Sequence, residues 1–352
     1  MSYSRLVGVG GIGTGLFFAL EGDHDLGRHE SRFARRLDVR DYCKLHIIAH
    51  YPVSLLRTPA TGAPFQVVPV GRVGTDEQGA RLRAEMAAAG MDVRFVREVP
   101  GRATLLSVCF QYPDGAGGNI TTSDSAAASL GPQDLDEVAP FIDRGTIVLA
   151  APEVPLAVRR RMLELGTHGG AFRIASFSSA ELRGGEARDL LALSDLVSLN
   201  QEEAAILAGR AFVATGAASF LEAVARVAAS PDQTLVVTAG AEGVFARNKA
   251  AFHRVPALRV PVVSTAGAGD AILGGLIAGL AAGLPLVPEW DEPLTERPVQ
   301  SALDLGVCLA ALAVASPHTI PPDVAWGTLR DFVGRLGVRF GPSFDRLLEA
   351  AA

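Results

Sequence analysis

The chain reads as an α/β protein: a mostly parallel sheet with helices on both faces and a small β appendage. Short β-type runs alternate with Ala/Leu/Arg-rich helical stretches, as expected when crossover helices join parallel strands. Two stretches, residues 14–45 and 93–125, break the alternation and mark the appendage. A length of 352 residues, nearly half of them apolar, suits one large domain with a small addition.

Leu6 to Val9 is the first expected strand, and residues 14–45 follow as a polar, charged segment. Phe65 to Val70 reads as a strand, then Asp76 to Ala89 as a helix stopped by Gly90. Val93 to Val96, Leu105 to Gln111 and Asn119 to Thr122 read as extended segments around the turn Pro113-Asp114-Gly115, an antiparallel group suited to a lid. Thr146 to Ala150 is a strand, followed by a helix from Pro155 to Leu165 ending at Gly166. Phe172 to Ala175, Leu196 to Ser198, Leu235 to Thr238 and Val260 to Ser264 are further β-type runs, with a helix at Glu202 to Ala208. Ala266 to Leu286 is apolar and about as long as a bilayer is thick. Asp270 interrupts it, no Lys or Arg closely flanks it, and Gly274, Gly275 and Gly279 suit a soluble helix packed closely on a sheet. Residues 285–298 form an acidic, proline-rich surface loop. A single domain over residues 1–352 is expected, with lid segments at about 14–45 and 93–125 inserted in it.

A net charge of -6 argues against a general nucleic-acid or anionic-membrane binder. Cys43, Cys109 and Cys308 are widely spaced without a CxxC, which argues against a disulfide framework or zinc site and for a reducing, cytoplasmic setting. The N-terminus lacks the long apolar region and cleavage site of a secretory signal.

The strongest chemical signal is Thr265-Ala266-Gly267-Ala268-Gly269-Asp270, between a β-type run and the long apolar helix. Gly267 and Gly269 let the backbone turn tightly and aim successive N–H groups one way. With the positive end of the helix dipole they make an anion site of the kind phosphoryl transfer requires. Asp270, in the first helical turn, is placed to accept a proton from an attacking hydroxyl, and its location predicts a carboxylate ionised at pH 7. Asn200 and Glu203, entering a helix, fall on one face and also satisfy a capping box.

Val263 to Ile272 resembles the D-T-x-G-A-G-D-x-F signature of the ribokinase/PfkB carbohydrate kinase family. Other segments stand in that family's order. Val70 to Gly79 resembles G-x-x-G-x-D-x-x-G, Ala151 to Pro155 the strand-end Glu segment near the sugar, Asn200 to Glu203 the N-x-x-E motif, and Val236 to Gly243 the V-T-L-G-x-x-G nucleotide turn. The resemblance covers residues 65 to about 335. It implies a ribokinase-like three-layer α/β/α sandwich with a small β lid, and transfer of the γ-phosphate of ATP to a hydroxyl of a small carbohydrate-like acceptor. By the same resemblance Asp270 is the catalytic base and Ala266, Gly267, Ala268 and Gly269 form the anion hole. Thr238, Gly240, Gly243, Thr265 and Ala266 lie against the nucleotide, Asn200 and Glu203 hold Mg²⁺ through water, and Glu153 stands near the acceptor.

The departures concern mainly the acceptor. Ser264 replaces the usual Asp, which leaves activation by a monovalent cation open. Ser316-Pro317-His318-Thr319-Ile320 replaces the family's late G-A, with His318 either a candidate for contact with adenine or a filler of the loop. Asp41 to His46 stands where a Gly-Gly motif belongs, and Gly13-Thr14-Gly15 where a substrate-binding Asp belongs. Those two features normally hold sugar hydroxyls, so a nucleoside or an anionic sugar enters as an alternative acceptor. Arg28, Arg32, Arg35, Arg36 and Arg40 cluster in this acidic protein; Arg35 and Arg36 could clamp an anionic acceptor, or the cluster could be a solvated lid surface or a homodimer contact. Gly13, Gly15, Asp23, His24 and Lys44 are the remaining acceptor-side candidates.

Two rival readings compete. Gly8-Val9-Gly10-Gly11-Ile12-Gly13 matches a dinucleotide-binding G-x-G-x-x-G, but no second strand ending in an acidic residue follows about 20 residues on. A non-catalytic nucleotide- or sugar-binding protein on the same fold is the other, against which Asp270, Asn200 and Glu203 speak. A P-loop is excluded because neither Lys44 nor Lys249 has the flanking Gly and Ser/Thr.

Overall fold

The computed structural model describes residues 3–56, 64–113, 117–228, 232–249 and 251–344. The strands are β1 (Arg5–Val9), β2 (Gly13–Leu20), β3 (Ala34–Tyr42), β4 (Gln66–Gly74), β5 (Val96–Val99), β6 (Leu105–Gln111), β7 (Gly117–Thr121), β8 (Thr146–Ala150), β9 (Phe172–Ser176), β10 (Leu196–Asn200), β11 (Thr234–Thr238), β12 (Val244–Asn248) and β13 (Ala251–Val255). The helices are α1 (Lys44–Leu55), α2 (Glu77–Ala89), α3 (Leu156–Gly169), α4 (Ser179–Gly184), α5 (Arg188–Leu193), α6 (Gln201–Ala208), α7 (Ala217–Ala228), α8 (Ala268–Ala281), α9 (Ala302–Val314) and α10 (Trp326–Gly334).

Nine strands form the main sheet in the order β13-β12-β11-β10-β9-β8-β1-β4-β5, parallel except at the antiparallel β12 and β13. Because successive strand side chains point to opposite faces, each strand feeds two cores. Leu6, Ile147, Leu149 and Val236 pack with α1, α2, α8, α9 and α10, whereas Val7, Val9, Val148, Ala150 and Val237 pack with α3 to α7. The result is the expected helix–sheet–helix sandwich.

The small sheet has the order β3-β2-β6-β7. Its two hairpin pairs are antiparallel, and the seam between β2 and β6 is parallel. Val96 to Val99 does not belong to it: β5 pairs with β4 at the edge of the main sheet. The turn at Pro113-Asp114-Gly115 lies partly outside the described residues. Val260 to Ser264 forms no strand; the N–H groups of Val263 and Ser264 both turn to the carbonyl of Val314 at the end of α9.

Two glycine readings also change. Gly166 does not stop α3, which runs to Gly169 and ends on the left-handed Gly170. A side chain at Gly166 would press on Val148 and Arg173, so its glycine serves packing. The glycines of α8 seat against helices and not the sheet: Gly274 meets Tyr51 and Ile48 of α1, while Gly275 and Gly279 meet Gly306 and Ala302 of α9. No helix of the described residues is long and apolar enough to cross a membrane.

Candidate active site

The parallel strands end along one edge, where a cleft of about 670 Å³ opens. One wall is apolar, made by Ala257, Leu258, Val260 and Val262 on one side and by Val307, Ala310, Ala311 and Val314 of α9 on the other. Such a slot suits a flat heterocycle. Toward the strand ends the lining turns polar, with Asn200, Thr238, Gly240, Thr265, Gly267 to Asp270, and Lys44. The apolar wall and Arg259, which also lines the cleft, are absent from the sequence reading. They come from a coil and from one face of an all-apolar helix, and neither carries a motif.

The turn before α8 folds as its glycines require. Gly267 caps the helix in the left-handed region at φ 78°. Of the neighbouring N–H groups, that of Ala266 donates to Ser264 Oγ at 3.3 Å and that of Ala268 to the Thr265 carbonyl at 3.4 Å. Those of Gly267, Gly269 and Asp270 have no acceptor among the described residues. Of the expected donors Ala266–Gly269, Ala266 is committed to Ser264 and Ala268 to Thr265, which leaves Gly267 and Gly269, joined by the first-turn N–H of Asp270.

Asp270 lies at the cleft floor, its side chain 15% exposed, with Oδ1 at 3.8 Å from Lys44 Nζ. Burial pushes its carboxyl above the ordinary range, and the Lys44 charge opposes that rise. The sequence expectation, a carboxylate ionised at pH 7, takes no account of this desolvation or of the Lys44 charge that opposes it. Lys44 is held firmly protonated, first by Asp270 and then by Glu203, Glu153 and Glu181, against its own burial.

Asn200 and Glu203 close a capping box at the start of α6. Asn200 Oδ1 accepts from Glu203 N, and Glu203 Oε2 accepts from Asn200 N, both at 2.8 Å. The box uses only Oε2 of a carboxylate that burial pushes up and Lys44 holds down. Gly243, at φ 95°, turns the β11–β12 connection with its α-carbon against the Val255 carbonyl, leaving no room for a side chain.

On the far side of Lys44 lies a second cluster. Glu153 takes a left-handed φ of 74°, a conformation that costs a non-glycine residue about 1–3 kcal/mol and recurs at functional sites. Its Oε2 accepts from Lys44 N at 3.3 Å. Burial raises its carboxyl to about 7, with Lys44 lowering it. Gly13 and Gly15 line the adjoining base of β2, and Asp41 of β3 occupies the space over Gly15.

Other candidates lie elsewhere. His318 is not among the cleft residues; its Nδ1 accepts from Arg40 N at 3.0 Å, so it caps the edge of β3 where contact with adenine was expected. Thr319 continues that clasp, donating from its N to the Arg40 carbonyl and accepting from Tyr42 N at Oγ1. Arg35 and Arg36 are exposed opposite Ala19 and Phe18, roughly 17–20 Å of strand from Asp41 at about 3.3 Å per residue. Asp23 and His24 are exposed in the β2–β3 connection, where His24 pairs with Glu30. None of these joins Asp270.

The comparisons agree with this geometry. The family model described as pfkB family carbohydrate kinase matches residues 60–325. A fructokinase from Klebsiella pneumoniae is 30% identical over 228 residues, covering 61% of this chain and 72% of that protein. The ribokinase of Cryptococcus neoformans in complex with ADP superposes with a TM-score of 0.73 at 19% identity, over 94% of this chain and 99% of that one. An Escherichia coli structure in complex with ATP and Mg²⁺ does so with a TM-score of 0.69 at 19% identity, over the same shares. With a strand-end cleft, a glycine turn that frees backbone donors, and a family match over most of its length, this chain belongs to the pfkB family of carbohydrate kinases.

Proposed function

We infer that the chain transfers the γ-phosphoryl group of ATP to a hydroxyl of a small carbohydrate-like acceptor, with Asp270 as general base. The observation that carries this is the convergence of Asp270, Lys44 and the uncommitted N–H groups of Gly267, Gly269 and Asp270 at the polar end of the cleft.

The apolar slot beside α9 is suited to the adenine, with the phosphates toward the glycine turn. The acceptor oxygen bonds to the γ-phosphorus as its proton passes to Asp270 and the bond from phosphorus to the bridging oxygen breaks, releasing ADP. Negative charge on the transferring group faces the backbone donors and the Lys44 ammonium, which need no reorganisation to receive it. A carboxyl raised by burial is a better proton acceptor than an exposed one, provided Lys44 keeps it ionised.

Among the described residues no three His, Cys, Asp or Glu side chains converge to ligate a metal directly. The donors fit Mg²⁺ all the same, because that ion retains several waters and takes one or two carboxylates plus substrate phosphates. Glu203 and Asn200 would hold it through water, and when bound it would neutralise phosphate charge.

The test is ADP release with ATP and Mg²⁺ over a panel of sugars, sugar acids, phosphosugars and nucleosides, with the phosphorylated product identified by ³¹P NMR. Turnover of at least one acceptor is expected. Nucleotide binding without phosphorylation of any member would overturn the reading.

A further inference from the structure

The sequence lacks a carboxylate at Gly13-Thr14-Gly15, yet the fold puts one there. Asp41 of β3 pairs with Gly15 of β2, and Thr14 Oγ1 donates to the Asp41 carbonyl at 3.0 Å. Any side chain at residue 15 would collide with the Asp41 carboxylate. That carboxylate reaches across β2, with Oδ2 at 3.7 Å from Cys109 Sγ on β6. Asp41 stands near the end of β3, three residues before Lys44, whose Nζ lies 3.8 Å from Asp270 Oδ1, so this end of β3 leads into the cleft floor.

Glu153 repeats the arrangement from the other side. A side chain at Gly11 would collide with Glu153 Oε2. Gly11, between β1 and β2, and Gly15, within β2, thus vacate space that two carboxylates of other segments fill. Side chains at Gly11 and Gly13 would both press on Leu105, and one at Gly13 on Cys43 Sγ as well, so Glu153, Cys43 and, two residues along β2, Asp41 border one small region. Lys44 is the cation paired with Asp270, while Arg81 donates to Thr14 Oγ1 at 3.1 Å, on the face of β2 opposite that of residue 15.

We propose that Asp41 is an acceptor-binding residue. Its carboxylate, supplied by β3 in place of one absent from β2, receives hydrogen bonds from hydroxyl groups of a neutral polyol held between the small sheet and Asp270. Carboxylates accept from vicinal hydroxyls and repel anions; burial raises Asp41 to about 6 and Glu153 to about 7, so at neutral pH the first is charged in large part and the second in part, and with Asp270 they outweigh Lys44. The site therefore selects a neutral polyol over a sugar acid or sugar phosphate. This rests on the kinase reading above.

The experiment measures phosphorylation of D-fructose, D-ribose, myo-inositol and adenosine as neutral acceptors, and of D-gluconate and fructose 1-phosphate as anionic ones. Wild type is expected to turn over a neutral acceptor with the higher kcat/KM. In Asp41→Asn, which keeps the size of the side chain, the acceptor KM should rise roughly 10- to 100-fold, the scale of losing a hydrogen bond to a charged group. Its KM for ATP should hold, and discrimination against the anionic acceptors should narrow. Asp41→Ser should behave alike, and both melting temperatures locate any folding defect. An unchanged acceptor KM in Asp41→Asn overturns the proposal, as does a rise in acceptor and ATP KM together with a lowered melting temperature. Preference of wild type for the anionic acceptors also overturns it while leaving the kinase reading intact; failure to phosphorylate any acceptor removes the kinase reading itself.

Discussion

Asp270→Asn separates proton acceptance from every other duty at the cleft floor. The amide matches the carboxylate in size and leaves the N–H groups of Gly267, Gly269 and residue 270 in place, since all are backbone. What it removes is the proton acceptor, so kcat should fall roughly 10²–10⁴-fold, or about 2.7–5.4 kcal/mol of barrier. The folding cost is smaller. The pair with Lys44 spans 3.8 Å with side chains 32% and 15% exposed, and a partly solvated pair of that kind is worth about 0–1 kcal/mol. Burial also disfavours the carboxylate, which offsets part of that loss. The melting temperature should therefore move by no more than about 3 °C. The assay is steady-state ADP release at saturating acceptor, with ATP affinity from calorimetry. A variant within about tenfold of wild-type kcat, or one whose ATP affinity falls in step with kcat, would refute the assignment.

Lys44→Met removes the charge that opposes the burial of Asp270. The carboxyl then rises further, so the acid limb of the kcat–pH profile should move to higher pH, with the rate lost more at pH 6 than at pH 8.5; a limb that stays in place contradicts the pairing. Arg297 and Asp304 form a buried pair with two bonds of 2.8 Å, and Asp304 also accepts from Ser301 N at the start of α9. Arg297→Ala strands that carboxylate and should cost about 3–5 kcal/mol in urea unfolding, whereas a loss under about 1 kcal/mol would mean the pair is dispensable.

The fold was legible where local pattern and tertiary role agree. The alternating strands from Leu6 to Thr238 fall close to their expected places, because a parallel strand buried on both faces must be continuously apolar. Legibility failed where packing overrides the local signal. Gly166 looks like a stop and is a contact with Val148. Val260 to Ser264 has strand composition, but its N–H groups are drawn to α9. Arg159 occupies the buried face of α3 beside Met162 and Leu163. It is fully buried because Glu181 and the carbonyls of Ala150 and Ser176 receive it, and no helical periodicity announces such partners.

The two halves of the site differ in legibility for a physical reason. A phosphate is recognised largely by backbone donors, which need contiguous glycines and a helix start, so that requirement is written in a single run such as Thr265 to Asp270. Hydroxyl recognition needs only a carboxylate at the right point in space, and any neighbouring strand can deliver it. Gly15 looks like a loss when read along β2. Across the ladder it is the space that admits Asp41. Lys44, first in α1, is an acceptor-side candidate with no partner in the sequence until Asp270, more than two hundred residues later, arrives beside it. On the acceptor reading proposed above, a site assembled from β2, β3, α1 and the turn after β8 can change which strand supplies a group while keeping the group's position, and a linear motif registers that exchange as damage.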